Sequence, residues 1–60
     1  MRLYHVMTYL GTDQKTFQHR GNAERYAQQL RWKYDLDADL VEMYSYEATQ
    51  EEYINTDLED

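Results

Sequence analysis

"GNAERYAQQLRWKY", residues 21–34, decides the fold of this chain. Ala23, Tyr26, Ala27, Leu30 and Tyr34 recur at the i, i+3, i+4, i+7 spacing that lines one side of an α-helix. Asn22 stands where a side-chain oxygen can accept from a free amide of the first turn, and Glu24 suits the positive helix end. The spacing predicts one amphipathic helix from Asn22 to about Tyr34. Its apolar stripe needs a surface to cover.

That surface is read on either side of the helix. "RLYHVMTYL" (residues 2–10) is rich in β-branched and aromatic residues and predicts strand 1. "GTD" (11–13) is turn chemistry, and "QKTFQHR" (14–20) follows as the second strand of a hairpin. After the helix, residues 38–47 predict strand 3, with Val41, Met43 and Ser45 on one face and Leu40, Glu42, Tyr44 and Tyr46 on the other. The helix returns the chain so that strand 3 runs antiparallel to strand 1. The expected architecture is α+β: a β-β-α-β chain whose three-stranded antiparallel sheet, order 2-1-3, packs on one helix. Residues 1–47 form the single domain, and 48–60 an acidic C-terminal tail. Thr49 with Glu52 has capping-box spacing and starts a short helix there. Disorder is expected after about Thr56.

One helix covers one sheet face, so the other should be polar, and it is not. Strand 1 offers Leu3, His5, Met7 and Tyr9 on one face and Tyr4, Val6, Thr8 and Leu10 on the other. The second face therefore calls for a cover: a second copy, a partner protein, or the tail's own Tyr53, Ile54 and Leu58. Trp32, stepped about 100° per residue from the stripe, falls on the opposite side of the helix beside Arg25 and Gln28. A Trp flanked by Arg has the composition of a binding hot spot.

Charge is divided unevenly. Residues 1–34 hold six basic and two acidic side chains, a balance of +4, and residues 35–60 hold ten acids and no base, a balance of −10. The net charge of −6 argues against general nucleic-acid binding, which depends on neutralising phosphates. Such asymmetry points either to an acidic interaction surface or to acids that keep a small, tyrosine-rich domain soluble.

Little points to catalysis or to metal. The chain has no cysteine, its single serine is Ser45, and it contains no glycine-rich phosphate loop. "DLDAD" (35–39) opens like a calcium loop but has Leu40 where glycine is needed and Tyr46 where the closing glutamate belongs. A three-residue hairpin loop would set His5 opposite His19 and Met7 opposite Phe17, but two histidines lack a third ligand. No catalytic residue, metal or cofactor is expected. No apolar run approaches the ~20 residues of a bilayer span. A cytoplasmic protein without a membrane role is the expectation.

The element order over residues 2–47, with the small acidic chain, resembles small phage-encoded inhibitors of host machinery, among them inhibitors of bacterial RNA polymerase. The resemblance implies a protein-binding module that modulates a host nucleic-acid-handling protein by occupying its basic surface. The candidate partner-binding residues are Trp32, Glu42, Tyr44, Tyr46, Glu47, Glu51, Glu52 and Tyr53. Two alternatives stand beside this one. In the first, Lys15, Arg20, Arg25, Arg31 and Lys33 bind nucleic acid; in the second, a homodimer forms through the uncovered sheet face.

Overall fold

The computed structural model describes residues 1–59. Its elements follow the order β1 (Arg2–Thr8), β2 (Lys15–Phe17), α1 (Arg20–Tyr34), a 3₁₀ turn (Ala38–Leu40), β3 (Val41–Glu47) and α2 (Gln50–Asn55). The strands form one antiparallel sheet in the order β2-β1-β3, as expected from the sequence. Val6 on the central strand is fully buried and packs with Phe17, Ala23, Ala27, Leu30 and Val41. Tyr4, Tyr26, Leu36 and Met43 close the rim of this core. Of the stripe read from residues 21–34, Ala23, Ala27 and Leu30 are buried and Tyr26 is half-buried, whereas Tyr34 is exposed and donates its hydroxyl to Asp13.

The β1–β2 hairpin differs from its expected form. Tyr4 pairs with Phe17, His5 with Thr16 and Val6 with Lys15. His5 therefore does not oppose His19, and Met7 does not oppose Phe17. An odd shift of register turns every side chain to the other face. The observed register places Phe17, the one large apolar residue of β2, on the helix side with Val6, where it is buried. The loop lengthens to allow this. Strand β1 stops at Thr8 rather than Leu10, and β2 begins at Lys15 rather than Gln14. The buried Thr8 hydroxyl donates to the Thr12 carbonyl (3.2 Å), and the Gly11 amide donates to the Thr8 carbonyl (2.9 Å). Gly11 takes the left-handed conformation (φ 75°) that this turn needs. The Tyr26 hydroxyl then ties the loop to α1 by donating to the Asp13 carbonyl (2.8 Å).

The N-cap of helix α1 falls three residues earlier than expected. His19, in extended conformation, is the N-cap, and Asn22 lies within the first turn without a capping role. Burial of Phe17 ends β2 early, leaving residues 18 and 19 for the change of direction. Glu24 is consequently past the first turn, where it pairs with Arg20 one helical turn back (2.9 Å). At the other end Asp35 adopts a left-handed cap, with Arg31 and Lys33 in the last turn facing the negative end of the helix dipole. Residues 38–40, expected as the start of strand 3, form the 3₁₀ turn instead, whose Leu40 carbonyl accepts from the Tyr9 amide (2.9 Å).

The capping box at Thr49 is present as read. The Glu52 amide donates to Thr49 Oγ1 (3.2 Å), and the Thr49 amide donates to Glu52 Oε1 (3.0 Å). In place of disorder after Thr56, Leu58 forms a parallel bridge with Thr16, and the Glu59 amide donates to the Thr16 carbonyl (3.0 Å). Asp60, the remainder of that stretch, lies outside the described residues. The tail thus returns from β3 to the outer edge of β2, with the Tyr53 hydroxyl reaching Gln18 on the way (3.5 Å). Leu3, on the face away from α1, is fully buried, and this returning segment is the part of the chain available to cover it.

Truncating Leu30 to alanine should cost about 2–5 kcal/mol, and Thr49→Ala about 1 kcal/mol. Urea unfolding followed by circular dichroism should show the first largely unfolded and the second folded with a lower midpoint.

Candidate partner-binding surface

The far side of β3 carries the most open aromatic surface of the sheet. Strand alternation sends Val41, Met43 and Ser45 toward α1 and Glu42, Tyr44 and Tyr46 away from it. Tyr44 is 50 % exposed and sits in a row of rings, its centroid 5.3 Å from His5 and 6.2 Å from Tyr46. His5 is fixed on its other side, with Nδ1 2.9 Å from Thr16 Oγ1 and Nε2 3.1 Å from Gln14 Oε1. Reading the sequence without the true register missed His5 as a neighbour of this row. The pairing His5↔Tyr44 follows once β1 and β3 are aligned antiparallel from Thr8↔Val41.

The candidate acids divide by task. Glu42 closes the row beside Tyr44 and has no ion-pair partner among the described residues; Glu51 is exposed at the start of α2. Glu47 points to the helix side of the sheet and holds the Met1 ammonium (2.7 Å) and Arg2 (3.5 Å). The hydrogen bond and charge of that ammonium, reinforced by Arg2, hold the Glu47 carboxyl below its usual value of 4.5. Glu52 is lowered too, by the backbone and side-chain hydrogen bonds of Thr49. Glu47 thus holds the chain's N-terminus, and Glu52 holds the start of α2. Tyr53 is half-buried and turned toward Gln18.

Trp32 is 74 % exposed, as its position opposite the stripe requires. Because α1 covers the other face of the sheet, Trp32 and the tyrosine row lie on opposite sides of the molecule. One flat partner surface cannot reach both.

The basic residues separate as well. Lys15 lies 3.6 Å from Glu59 and 4.9 Å over the Tyr26 ring, in a shallow cleft shared with Arg25. Lys33 stands 3.9 Å from Asp13, and Arg20 pairs with Glu24. Arg31 is on the β3 side of α1, where its Nη1 donates to Gln28 (3.1 Å). These side chains form no continuous positive stripe, because helical spacing sends Arg20 and Arg31 to one flank, Lys33 to the other and Arg25 outward beside Trp32.

Comparison with protein-family models, with curated proteins and with solved structures found no match to this chain. No helix among the described residues is long and apolar enough to cross a membrane.

The lowered carboxyls set an acid dependence. The unfolded chain binds protons near pH 4.5, before folded Glu47 and Glu52 do, so lowering pH favours unfolding. Their contribution should be complete above about pH 4.5 and vanish as pH falls through the lowered folded-state values. Urea midpoints measured from pH 6 to pH 3 should fall, and Glu47→Gln should flatten that slope while lowering the plateau.

Proposed function

We propose that this chain is a protein-binding module, encoded by a phage or mobile element, that modulates a host nucleic-acid-handling protein. The partner presents a basic surface of the kind that holds nucleic acid. The far side of β3 occupies it, with Tyr44 and Tyr46 supplying contact area and Glu42 and Glu51 supplying opposite charge. The observation that carries this reading is the open ring row His5–Tyr44–Tyr46 with Glu42 at its end, in a half-chain whose balance is −10. Element order, size and charge support the phage-inhibitor class. No catalytic step is assigned, since the reading needs only occupation of a surface.

Affinity capture from a host lysate with the wild-type chain should retain a basic protein, and reversal at Glu42→Lys and Glu51→Lys should release it. Trp32→Ala should leave capture intact. Retention after both reversals would remove the acidic-surface mechanism. Salt-sensitive binding of the isolated chain to oligonucleotides would favour Lys15, Arg20, Arg25, Arg31 and Lys33 instead.

A further inference from the structure

The two edges of the sheet are treated differently. The outer edge of β2 is three residues long and is met by Leu58 and Glu59. The outer edge of β3 is seven residues long, and no strand lies against it among the described residues. Its protections are few, since Val41–Glu47 contains no proline and no lysine, pairs with β1 without a bulge, and carries Glu42 and Glu47 as its only charges.

The hydrogen-bond phase says which groups this edge offers. The Tyr9 amide donates to the Leu40 carbonyl and the Ala48 amide to the Met1 carbonyl, bracketing the β1–β3 ladder. Directly bonded pairs recur at every second residue of an antiparallel ladder. Glu42, Tyr44 and Tyr46 therefore spend their backbone groups on β1. Val41, Met43, Ser45 and Glu47 direct theirs outward.

We propose that β3 pairs with β3 of a second copy, antiparallel about a two-fold axis at Tyr44, to give one continuous six-stranded sheet. The axis at Tyr44 uses all seven residues and bonds Met43 to Ser45 of the other copy. On the far face, Tyr44 meets its own counterpart and Glu42 meets Tyr46. On the helix face, Glu47 meets Val41. No like charges stand opposite each other. An axis at Met43 would instead set Asp39 against Glu47, and an axis at Ser45 would shorten the overlap to residues 43–47.

Charge on the helix side favours the same occupant. Between α1 and β3 lie two adjoining grooves, one lined by Arg2, Arg20, Met43 and Ser45, the other by Glu24, Gln28, Arg31 and Met43. Arg31 has a buried Nε without a hydrogen-bond partner among the described residues. It sits over the first half of β3, the end to which the two-fold brings Glu47 of the other copy. The two β1 strands would stand about 14 Å apart at ordinary strand spacing, and the two α1 helices, each packed over its own β1, leave a channel between them that these side chains fill. The inference does not depend on the proposed host partner.

Sedimentation and amide exchange by NMR, run across micromolar to millimolar concentration, test it. The expected result is a dimer in which the Met43 and Ser45 amides become protected as concentration rises. Ser45→Pro removes the outward amide, together with the hydroxyl that accepts from Arg2 (3.2 Å), and should weaken dimerisation roughly 30-fold, two ladder bonds being lost per symmetric pair, whereas Ser45→Ala, which loses the hydroxyl alone, should leave it unchanged. Arg31→Gln, which leaves the contacts of Glu47 with Met1 and Arg2 in place, should also weaken it. A monomer at millimolar concentration with freely exchanging Met43 and Ser45 amides would overturn the proposal. So would a dimer indifferent to both Ser45→Pro and Arg31→Gln. If Ser45→Pro does not fold, the concentration dependence of the wild-type amides decides.

Discussion

The packing of Ala23, Ala27 and Leu30 onto Val6 is the contact on which the rest of this structure depends. Small residues at 23 and 27 let the helix backbone come close to the central strand. That approach fixes which face of β1 is inside. Once Val6 points inward, Phe17 must join it, which sets the β2 register and lengthens the hairpin loop. Val41 and Met43 must also point inward, which turns Glu42, Tyr44 and Tyr46 out. The surface assigned to a partner is therefore a by-product of burying Val6.

This dependence explains what was legible in the sequence. The stripe at residues 23–30, the alternation in 41–46 and the Thr49–Glu52 pair are each local patterns, and each appears in the structure, while Tyr34 at the stripe's end is exposed. The hairpin register is not local. "GTD" is good turn chemistry, but a three-residue loop there would turn Phe17 away from the core. Burial of one phenyl ring outweighed the preferred turn, and with that the expected pairing of His5 with His19 was lost. The same competition displaced the helix start from Asn22 to His19, despite asparagine's better capping chemistry. On the surface, the outward position of Trp32 was readable from helical angle. Its separation from Tyr44 was not, because that requires knowing which sheet face the helix covers.

The acids show why composition alone overstates a binding surface. A balance of −10 over residues 35–60 reads as one negative patch, but folding divides it. Glu47 holds the Met1 ammonium and Arg2, Glu52 closes a capping box, and Glu59 lies beside Lys15. Their charge is partly matched within the chain, so they offer a basic partner less than their number suggests. Glu42 and Glu51 remain unspent in this sense. The distinction matters for mutagenesis, since reversing Glu47 disturbs the N-terminus, and reversing Glu52 the cap of α2, along with any interface.

Shortage of chain locates the open surfaces. A domain of this size has one long helix, and that helix covers one face. Residues 48–59, which follow β3, reach across part of the second face and protect the β2 edge at Thr16. Nothing in the described chain remains to cover the outer edge of β3 or its row of rings. A chain that retained this edge for solubility alone would be expected to carry a lysine, a proline or a bulge there, as isolated edge strands do. Instead the edge is regular, with Tyr44 at its centre and opposite characters at its ends, apolar Val41 and acidic Glu47. Self-pairing would double the ring row without covering it, because an added strand extends a sheet sideways and leaves its faces free. The edge and the far face can thus be occupied together, by a second copy and by a basic partner, from the same seven-residue strand.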